Sequence, residues 1–134
     1  MGDTTSYDPR KVNVNIGGRI ITGFASDGVV TASKNEDAVT PNVGVKGEIV
    51  YEENANESGT VAITLQSTSS SLPYLRELAS NRKQFSIMIT DANDDGSLNI
   101  SGQKCRITKM PDVSRGKNTA TVTVNIYVPN LIIR

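Results

Sequence analysis

The residues that most often perform acid–base or metal chemistry are scarce in this sequence. It contains no His, the side chain that most often serves as a general base and as a zinc ligand. It contains one Cys, so no disulfide forms within the chain. That residue, Cys105, lies between Lys104 and Arg106, and two neighbouring cations could lower the pKa of a thiol. A free Cys in a strand is more often a small buried apolar residue, and we expect that role here.

An oxygen-rich segment resembles the first half of an EF-hand calcium loop. Asp91, Asn93 and Asp95 stand at positions 1, 3 and 5 of such a loop, and Gly96 stands at position 6. Position 12, where the loop needs a bidentate Glu, is Gly102, and the flanking segments alternate like strands. The turn preferences of Asp, Asn and Gly explain the same residues as a hairpin loop, which is the interpretation we favour. Calcium binding by a monomeric β-sandwich module remains an alternative.

Two pairs of adjacent carboxylates could in principle perform acid–base catalysis. Glu36 is followed by Asp37, and Glu52 is followed by Glu53. Both pairs lie in a strongly polar stretch, and no neighbouring apolar segment is evident that would form a pocket and shift their pKa values. We therefore expect a solvated acidic loop, no metal or other cofactor, and no enzymatic activity.

Length and charge restrict the remaining classes of protein. The 134 residues fit one domain, and no linker, repeat or second domain is evident, so we expect a single domain over residues 1–134. Lys plus Arg and Asp plus Glu both number 14, and no cluster of cations marks a surface for nucleic acid. No apolar run approaches the roughly 18 residues of a membrane-spanning helix, so we expect no membrane partner.

Alternating residues predict a mainly β protein. Apolar residues alternate with polar, uncharged ones in residues 59–66 and again in residues 119–128. Each of these strands therefore has one apolar face and one neutral polar face. We call the neutral faces together the polar wall, and its residues are Thr60, Thr64, Gln66, Thr119, Thr121, Thr123 and Asn125. An ordinary solvent-exposed antiparallel sheet has such a face, and the lining of a water-filled channel would have one too.

One short helix is predicted over residues 71–83. Ser71 suits the N-cap position, and a Pro two residues later suits the first turn, where its missing N–H is harmless. Leu72, Leu75 and Leu78 recur at helical spacing and form one apolar stripe. We expect this stripe to pack on the apolar face of the sheet.

Residues 35–58 interrupt the regular alternation, and we call this segment the arm. It is rich in Asn and acidic residues, and long connections in compact domains are uncommon and often functional. The arm is either a solvated loop or a long hairpin that orders against a partner. For the second interpretation the candidate contact residues are Asn35, Glu36, Asp37, Pro41, Glu52 and Glu53.

A resemblance to a known family extends over most of the chain. The segments that carry it are Tyr7–Val14, Gly17–Gly18, Ile21–Ala25, Asn35–Asp37, Ser58–Gln66 and Pro111–Val113. None of these segments carries chemistry. In their order they resemble small bacteriophage structural proteins, the tail tube proteins of contractile-tailed phages.

The resemblance implies a structural virion protein, a subunit of the inner tail tube. Such subunits form stacked hexameric rings, and each has an antiparallel β-sandwich or barrel whose strands join a barrel shared around the ring. The polar wall would face the lumen, through which the tape measure protein and phage DNA pass, and the arm would reach the adjacent ring. Sheath protein would surround the tube, which belongs to the virion tail and is assembled in the cytoplasm of the bacterial host. The same fold implies a second setting, a phage-like contractile injection system.

Two segments depart from the pattern of that family. Residues 80–83 are short and basic, and residues 131–134 are more apolar than a tube subunit would suggest. They leave open another position in the tail, a baseplate or tail completion protein of the same fold. We also expect an apolar C-terminus to be held in place by its own fold or by a neighbouring molecule.

Overall fold

The structure is a computed structural model, and it describes residues 12–25, 30–91, 98–112 and 120–134. Within those ranges the chain forms ten strands and one helix. In chain order they are β1 Val12–Ile16, β2 Arg19–Ile20, β3 Val30–Lys34, β4 Val39–Val43, β5 Ile49–Glu53, β6 Gly59–Gln66, α1 Leu72–Ser80, β7 Phe85–Asp91, β8 Leu98–Ile107, β9 Thr121–Val128 and β10 Ile132–Ile133.

Eight of these strands form one antiparallel sheet. Its order is β2-β1-β7-β8-β9-β6-β3, and β10 pairs with β8. The predicted class, mainly β and antiparallel with one helix, is confirmed. The sheet of a single chain does not close into a barrel, because the strands at its two ends, β2 and β3, do not pair with each other among the described residues.

The core lies between the apolar face of the sheet and the helix. Along β6 and β9 every second residue is buried, which is the two-residue period of a strand with one face in the core. Leu72, Leu75 and Leu78 are buried as the helical spacing predicted. Complete burial of a leucine contributes about 1.5–3 kcal/mol, so this stripe is the main apolar contact of the helix with the core. The helix has nine residues, and no helix of the described residues is long and apolar enough to cross a membrane.

The helix is shorter than the 71–83 expected, and both of its ends have local causes. Ser71 occupies the N-cap position, but its side chain makes no cap hydrogen bond; its Oγ instead accepts the backbone N–H of Thr22 at 3.0 Å. At the other end Arg82 has φ +54°, its N–H donates to the Ala79 carbonyl, and the next N–H donates to the Leu78 carbonyl. These two bonds form a Schellman motif, which ends the helix.

Strand β8 bends at a bulge where it changes neighbours. Phe85 pairs with Cys105 and Ile87 pairs with Gly102, so β8 has one more residue than β7 between these pairs. Lys104, within the bulge, has φ +57°. Beyond the bulge β8 pairs with β9 instead, and bulges of this kind turn the corners of sheets.

The C-terminus is held by its own fold. Leu131 is fully buried, and its N–H donates to the Glu57 carbonyl at 3.1 Å. The Lys34 ammonium donates to the carbonyls of Leu131 and Glu57. Arg134 and Asn99 exchange two backbone hydrogen bonds of 2.8 Å, which fastens the tail to the edge of β8.

Candidate functional site

Cys105 is a buried core residue and not a reactive thiol. Its side chain is 0% exposed, while Lys104 and Arg106 are exposed. Removal from water raises the pKa of the Cys105 thiol to about 11, although backbone hydrogen bonds oppose the rise. Because the thiolate is the nucleophile, the thiol is unreactive near neutral pH. The expected apolar role is therefore the one that the structure shows.

The other chemical candidates do not form a site in the described part of the chain. No group of three or more His, Cys, Asp or Glu lies close enough to hold a metal ion in that part. Of the calcium-loop residues, Asp91 ends β7, whereas Asn93 and Asp95 lie outside the described residues. The carboxylate pairs 36–37 and 52–53 are exposed.

The polar wall is a continuous face of the sheet. Strands β6 and β9 are antiparallel neighbours, and residues directly opposite in such a pair share a face. Thr119 lies outside the described residues, and the other six residues predicted for the wall share this face. The cross-strand pairs are Thr60–Tyr127, Ala62–Asn125, Thr64–Thr123 and Gln66–Thr121.

The wall extends further than the sequence indicated. On β3, Thr31 lies opposite Ala62 and Ser33 lies opposite Thr60, so both join the same face. Tyr127 also joins it, 41% exposed. Alternation along residues 30–34 is the signal that could have located the β3 residues, but only the pairing with β6 shows which face they share.

The wall is uncharged over three adjacent strands. The residues of β3, β6 and β9 that share this face are Thr, Ser, Ala, Gln, Asn and Tyr. The Thr64 and Thr123 hydroxyls lie 3.4 Å apart, so the two strands also interact through side chains. A charge first appears on β8, where Arg106 lies opposite Tyr127. On β3, β6 and β9 this face therefore offers hydrogen-bonding groups but no charged side chain.

The arm contains a β-hairpin that stands away from the main sheet. Strands β4 and β5 pair only with each other, and every residue from Ser33 to Glu53 is exposed. Five residues at about 3.4 Å each make this hairpin roughly 17 Å long before its turn is counted. An isolated two-stranded hairpin of this kind is only marginally stable in water.

Side-chain amides join the two ends of the arm to each other and to β6. Asn35 donates to the Ser58 hydroxyl at 3.1 Å and accepts from the Thr60 hydroxyl at 2.9 Å. Asn54 donates to the Asp37 carbonyl at 3.0 Å, and Asn56 donates to the Glu36 carboxylate. The Asn and acidic residues at 35–37 thus fix the root of the arm. Of the other predicted contact residues, Pro41, Glu52 and Glu53 belong to the hairpin strands.

The hairpin has an apolar face that was not predicted from the sequence. Cross-strand pairs put Pro41 beside Tyr51 and Val43 beside Ile49 on one face. Val43, Ile49 and Tyr51 are 64%, 56% and 65% exposed. The opposite face has mainly polar side chains, with Asn42 donating to Glu52 at 3.1 Å. Alternation within each short strand was the available signal, but the acidic residues around it hid the pattern.

Comparison with known proteins gives one family. A family model described as the bacteriophage PhiTE tail tube protein matches residues 15–131. A search of curated protein sequences found no match.

Three solved structures share the fold. The sheath/tube terminator of an extracellular contractile injection system, PVC, in the extended state is 12% identical, with a TM-score of 0.63 over 99% of both chains. The tube terminating cap of the anti-feeding prophage is 10% identical, with a TM-score of 0.61 over 100% of this chain and 94% of the other. A chain of the PVC sheath-tube complex in the extended state is 12% identical, with a TM-score of 0.60 over 96% of this chain and 91% of the other. At such low identity these similarities show the fold alone.

Proposed function

Because this chain belongs to the bacteriophage PhiTE tail tube protein family, we propose that it is a tube subunit whose copies assemble as stacked rings around a water-filled lumen. The family consists of structural proteins, and the chain is accordingly a structural protein and not an enzyme. Six copies in a ring is the number that its resemblance to tail tube proteins implies.

The polar wall is the observation that carries this proposal. It is uncharged across three adjacent strands, and its other side is the apolar face that packs against the core. The sheet of one chain is open at β2 and β3, so neighbouring copies can continue it around a ring. An assembly that places the walls side by side would have a neutral hydrophilic lumen.

Such a lumen suits the passage of DNA. A wall rich in Lys and Arg would bind phosphates and hold the polymer, with an affinity that falls steeply as salt rises. Thr, Ser, Asn and Gln side chains keep the surface hydrated without that attraction. The tape measure protein would occupy the same lumen before DNA enters it.

The remaining assignments follow from the tube role. Sheath subunits would surround the tube, as the name of the PVC sheath-tube complex indicates for that assembly. The protein would be found in the virion tail after assembly in the cytoplasm of the bacterial host. A contractile injection system is the other setting that the fold allows.

A terminal position in the tail is the second candidate function. Two of the three similar structures are a sheath/tube terminator and a terminating cap, and this chain matches them over nearly its whole length. A tube subunit stacks indefinitely, whereas a baseplate, completion or terminator protein stops at one ring. The family match favours the tube over both this position and a monomeric calcium-dependent module.

Electron microscopy of the purified protein tests the proposal. We expect hollow tubes built of stacked rings; isolated rings that do not stack would support the terminal position instead. A protein that stays monomeric at high concentration and never joins phage tails would overturn both.

Labelling tests which face lines the lumen. In Thr123→Cys, a maleimide on a large polymer should react readily with dissociated subunits and poorly with assembled tubes, because the polymer does not enter the lumen. Glu77→Cys, on the exposed side of the helix, is the matched control and should react in both states unless sheath is added. The native Cys105 is buried and gives little background. Equal labelling of Thr123→Cys in tubes and subunits would contradict the lumen assignment.

A further inference from the structure

A basic groove lies on the body of the protein, beside the bulge of β8. Its volume is about 640 Å³, the space of roughly twenty water molecules. Three cations line it, from the end of the helix and from β8, and apolar side chains from β9 and from just beyond the ends of β8 and β9 line it as well. We define the basic groove by Arg82, Lys104, Arg106, Met110, Tyr127 and Pro129.

The cations of the groove have no carboxylate partner in the described residues. The ion pair found in the described residues joins Lys109 and Asp112, which lie outside the groove, and both of these side chains are highly exposed. Arg82, Lys104 and Arg106 are therefore available to a negatively charged partner. Met110 and Tyr127 are 45% and 41% exposed, so the groove also offers apolar contact.

Backbone strain is concentrated at this groove. Among the described residues, Arg82 and Lys104 are the two with positive φ that are not Gly, at +54° and +57°. Glycine adopts that conformation without the steric cost that a Cβ brings. At Arg82 the Schellman motif enforces this conformation, and at Lys104 the bulge does. Both strained positions carry long cationic side chains on the same groove.

The arm hairpin has the complementary character. Its apolar face consists of Val39, Pro41, Val43, Ile49 and Tyr51, and Glu53 lies opposite Val39 at the root end of that face. The residues of the hairpin are exposed throughout, so the hairpin does not occupy the groove of its own chain.

We propose that the arm hairpin of one copy docks in the basic groove of a second copy of this chain. Tyr51 and its apolar neighbours would contact Met110 and Tyr127, while Glu53 would approach the cations. Tyr127 lies at the end of the polar wall, so in this contact the arm would cover it and it would not line the lumen. Hairpin and groove are different surfaces, so the contact is head-to-tail, the kind that generates rings or filaments. The inference rests on the proposed self-assembly and identifies the surface that receives the arm.

Photo-crosslinking tests the contact directly. A benzophenone amino acid replaces Tyr51 in assembled protein, and crosslinked peptides are identified by mass spectrometry after mixing isotopically labelled and unlabelled copies. We expect crosslinks between copies to residues 104–110 or 127–129. The same amino acid at Val50 is the matched control, because Val50 is 61% exposed but lies on the opposite face. Crosslinks from position 51 that map elsewhere, or equally strong ones to the groove from position 50, would overturn the inference.

Substitutions give an independent readout. Tyr51→Ser should raise the concentration needed for assembly about tenfold, as expected for an aromatic anchor. Val50→Ser should raise it less than about twofold, since a residue outside the contact adds little. Arg106→Glu should weaken assembly, and adding Glu53→Lys to it should recover part of the loss. Equal effects of the two arm substitutions would contradict the proposed docking.

The two proposals fail in different ways. If the wild-type protein forms no rings or tubes, the proposed function fails. If it forms tubes whose crosslinks avoid the groove, the docking inference alone is wrong.

Discussion

Leu131→Ala should destabilise the fold much more than Ile133→Ala, which removes the same number of carbons two residues further along. Leu131 is fully buried and packs so closely on Gly59 that a Cβ added to that glycine would lie 2.3 Å from Leu131 Cδ2. Three carbons are removed, which at about 0.8 kcal/mol each loses roughly 2.4 kcal/mol of transfer free energy. The cavity left behind raises the cost of such substitutions to about 2–5 kcal/mol. Because the site lies near the C-terminus and can partly relax, we expect about 3 kcal/mol, towards the lower end of that range.

The loss of unfolding free energy in Leu131→Ala should be measured by urea unfolding followed by far-UV circular dichroism. A change of about 3 kcal/mol corresponds to a decrease in Tm of roughly 10 °C for a chain of this length. Hydrogen exchange should show the local cause, because Asn99 and Arg134 exchange two backbone hydrogen bonds that depend on the anchored tail. Their amides should lose protection before those of the core strands do.

Ile133→Ala is the matched control. Ile133 is 44% exposed and lies on the same tail, so its truncation should cost less than about 1 kcal/mol. If the two variants lose equal stability, or if Leu131→Ala loses less than about 1 kcal/mol, Leu131 does not anchor the tail and the packing described for it is wrong.

Two further predictions concern the faces of the sheet and its buried thiol. Val124→Thr puts an unpaired hydroxyl in the core and should cost about 1–3 kcal/mol in urea unfolding, whereas Thr123→Val on the exposed face should change stability by less than about 0.5 kcal/mol; a reversed order would mean that the faces are inverted. Folding raises the Cys105 pKa from 9.0 to about 11. The contribution of the protonated thiol to the free energy of unfolding is therefore fully present below pH 9 and is lost as the pH rises towards 11. Between pH 9 and pH 11 the free energy of unfolding of Cys105→Ala should therefore fall by about 2–3 kcal/mol less than that of the wild type. Parallel curves of unfolding free energy against pH for the two proteins would contradict the raised pKa of Cys105.

The faces of the strands could be predicted from the sequence, because a strand has a fixed period of two. The same period gives the core residues of β6 and β9 and the polar residues opposite them. The helix stripe was predictable for the same reason, since three leucines recur at helical spacing. Both patterns are local, so one strand or helix is enough to recognise them.

The order of the strands could not be predicted, because it depends on contacts between distant parts of the chain. That β3 extends the polar wall follows from its pairing with β6, and nothing within residues 30–34 specifies that neighbour. The bulge at Lys104 was equally hidden, since a positive φ is expected at Gly and not at Lys. Ser71 is the N-cap residue as predicted, but its side chain makes no cap hydrogen bond, because tertiary contact gives its hydroxyl another partner, the Thr22 amide.

The basic groove shows the same limit at the level of a site. Arg82, Lys104 and Tyr127 come from the end of a helix, a bulge and a different strand. In the sequence they are separated and have no common motif. The arm was recognisable as an interruption, but its apolar face became visible only with the register of β4 and β5.

The most direct measurement is a cryo-electron microscopy reconstruction of the assembled protein at a resolution that shows side chains. The account predicts stacked rings whose lumen is lined by the polar faces of β3, β6 and β9, with Thr64 and Thr123 directed at the central axis. A tube with those residues on its outer surface, or in contact with a neighbouring subunit and closed to the lumen, would contradict it.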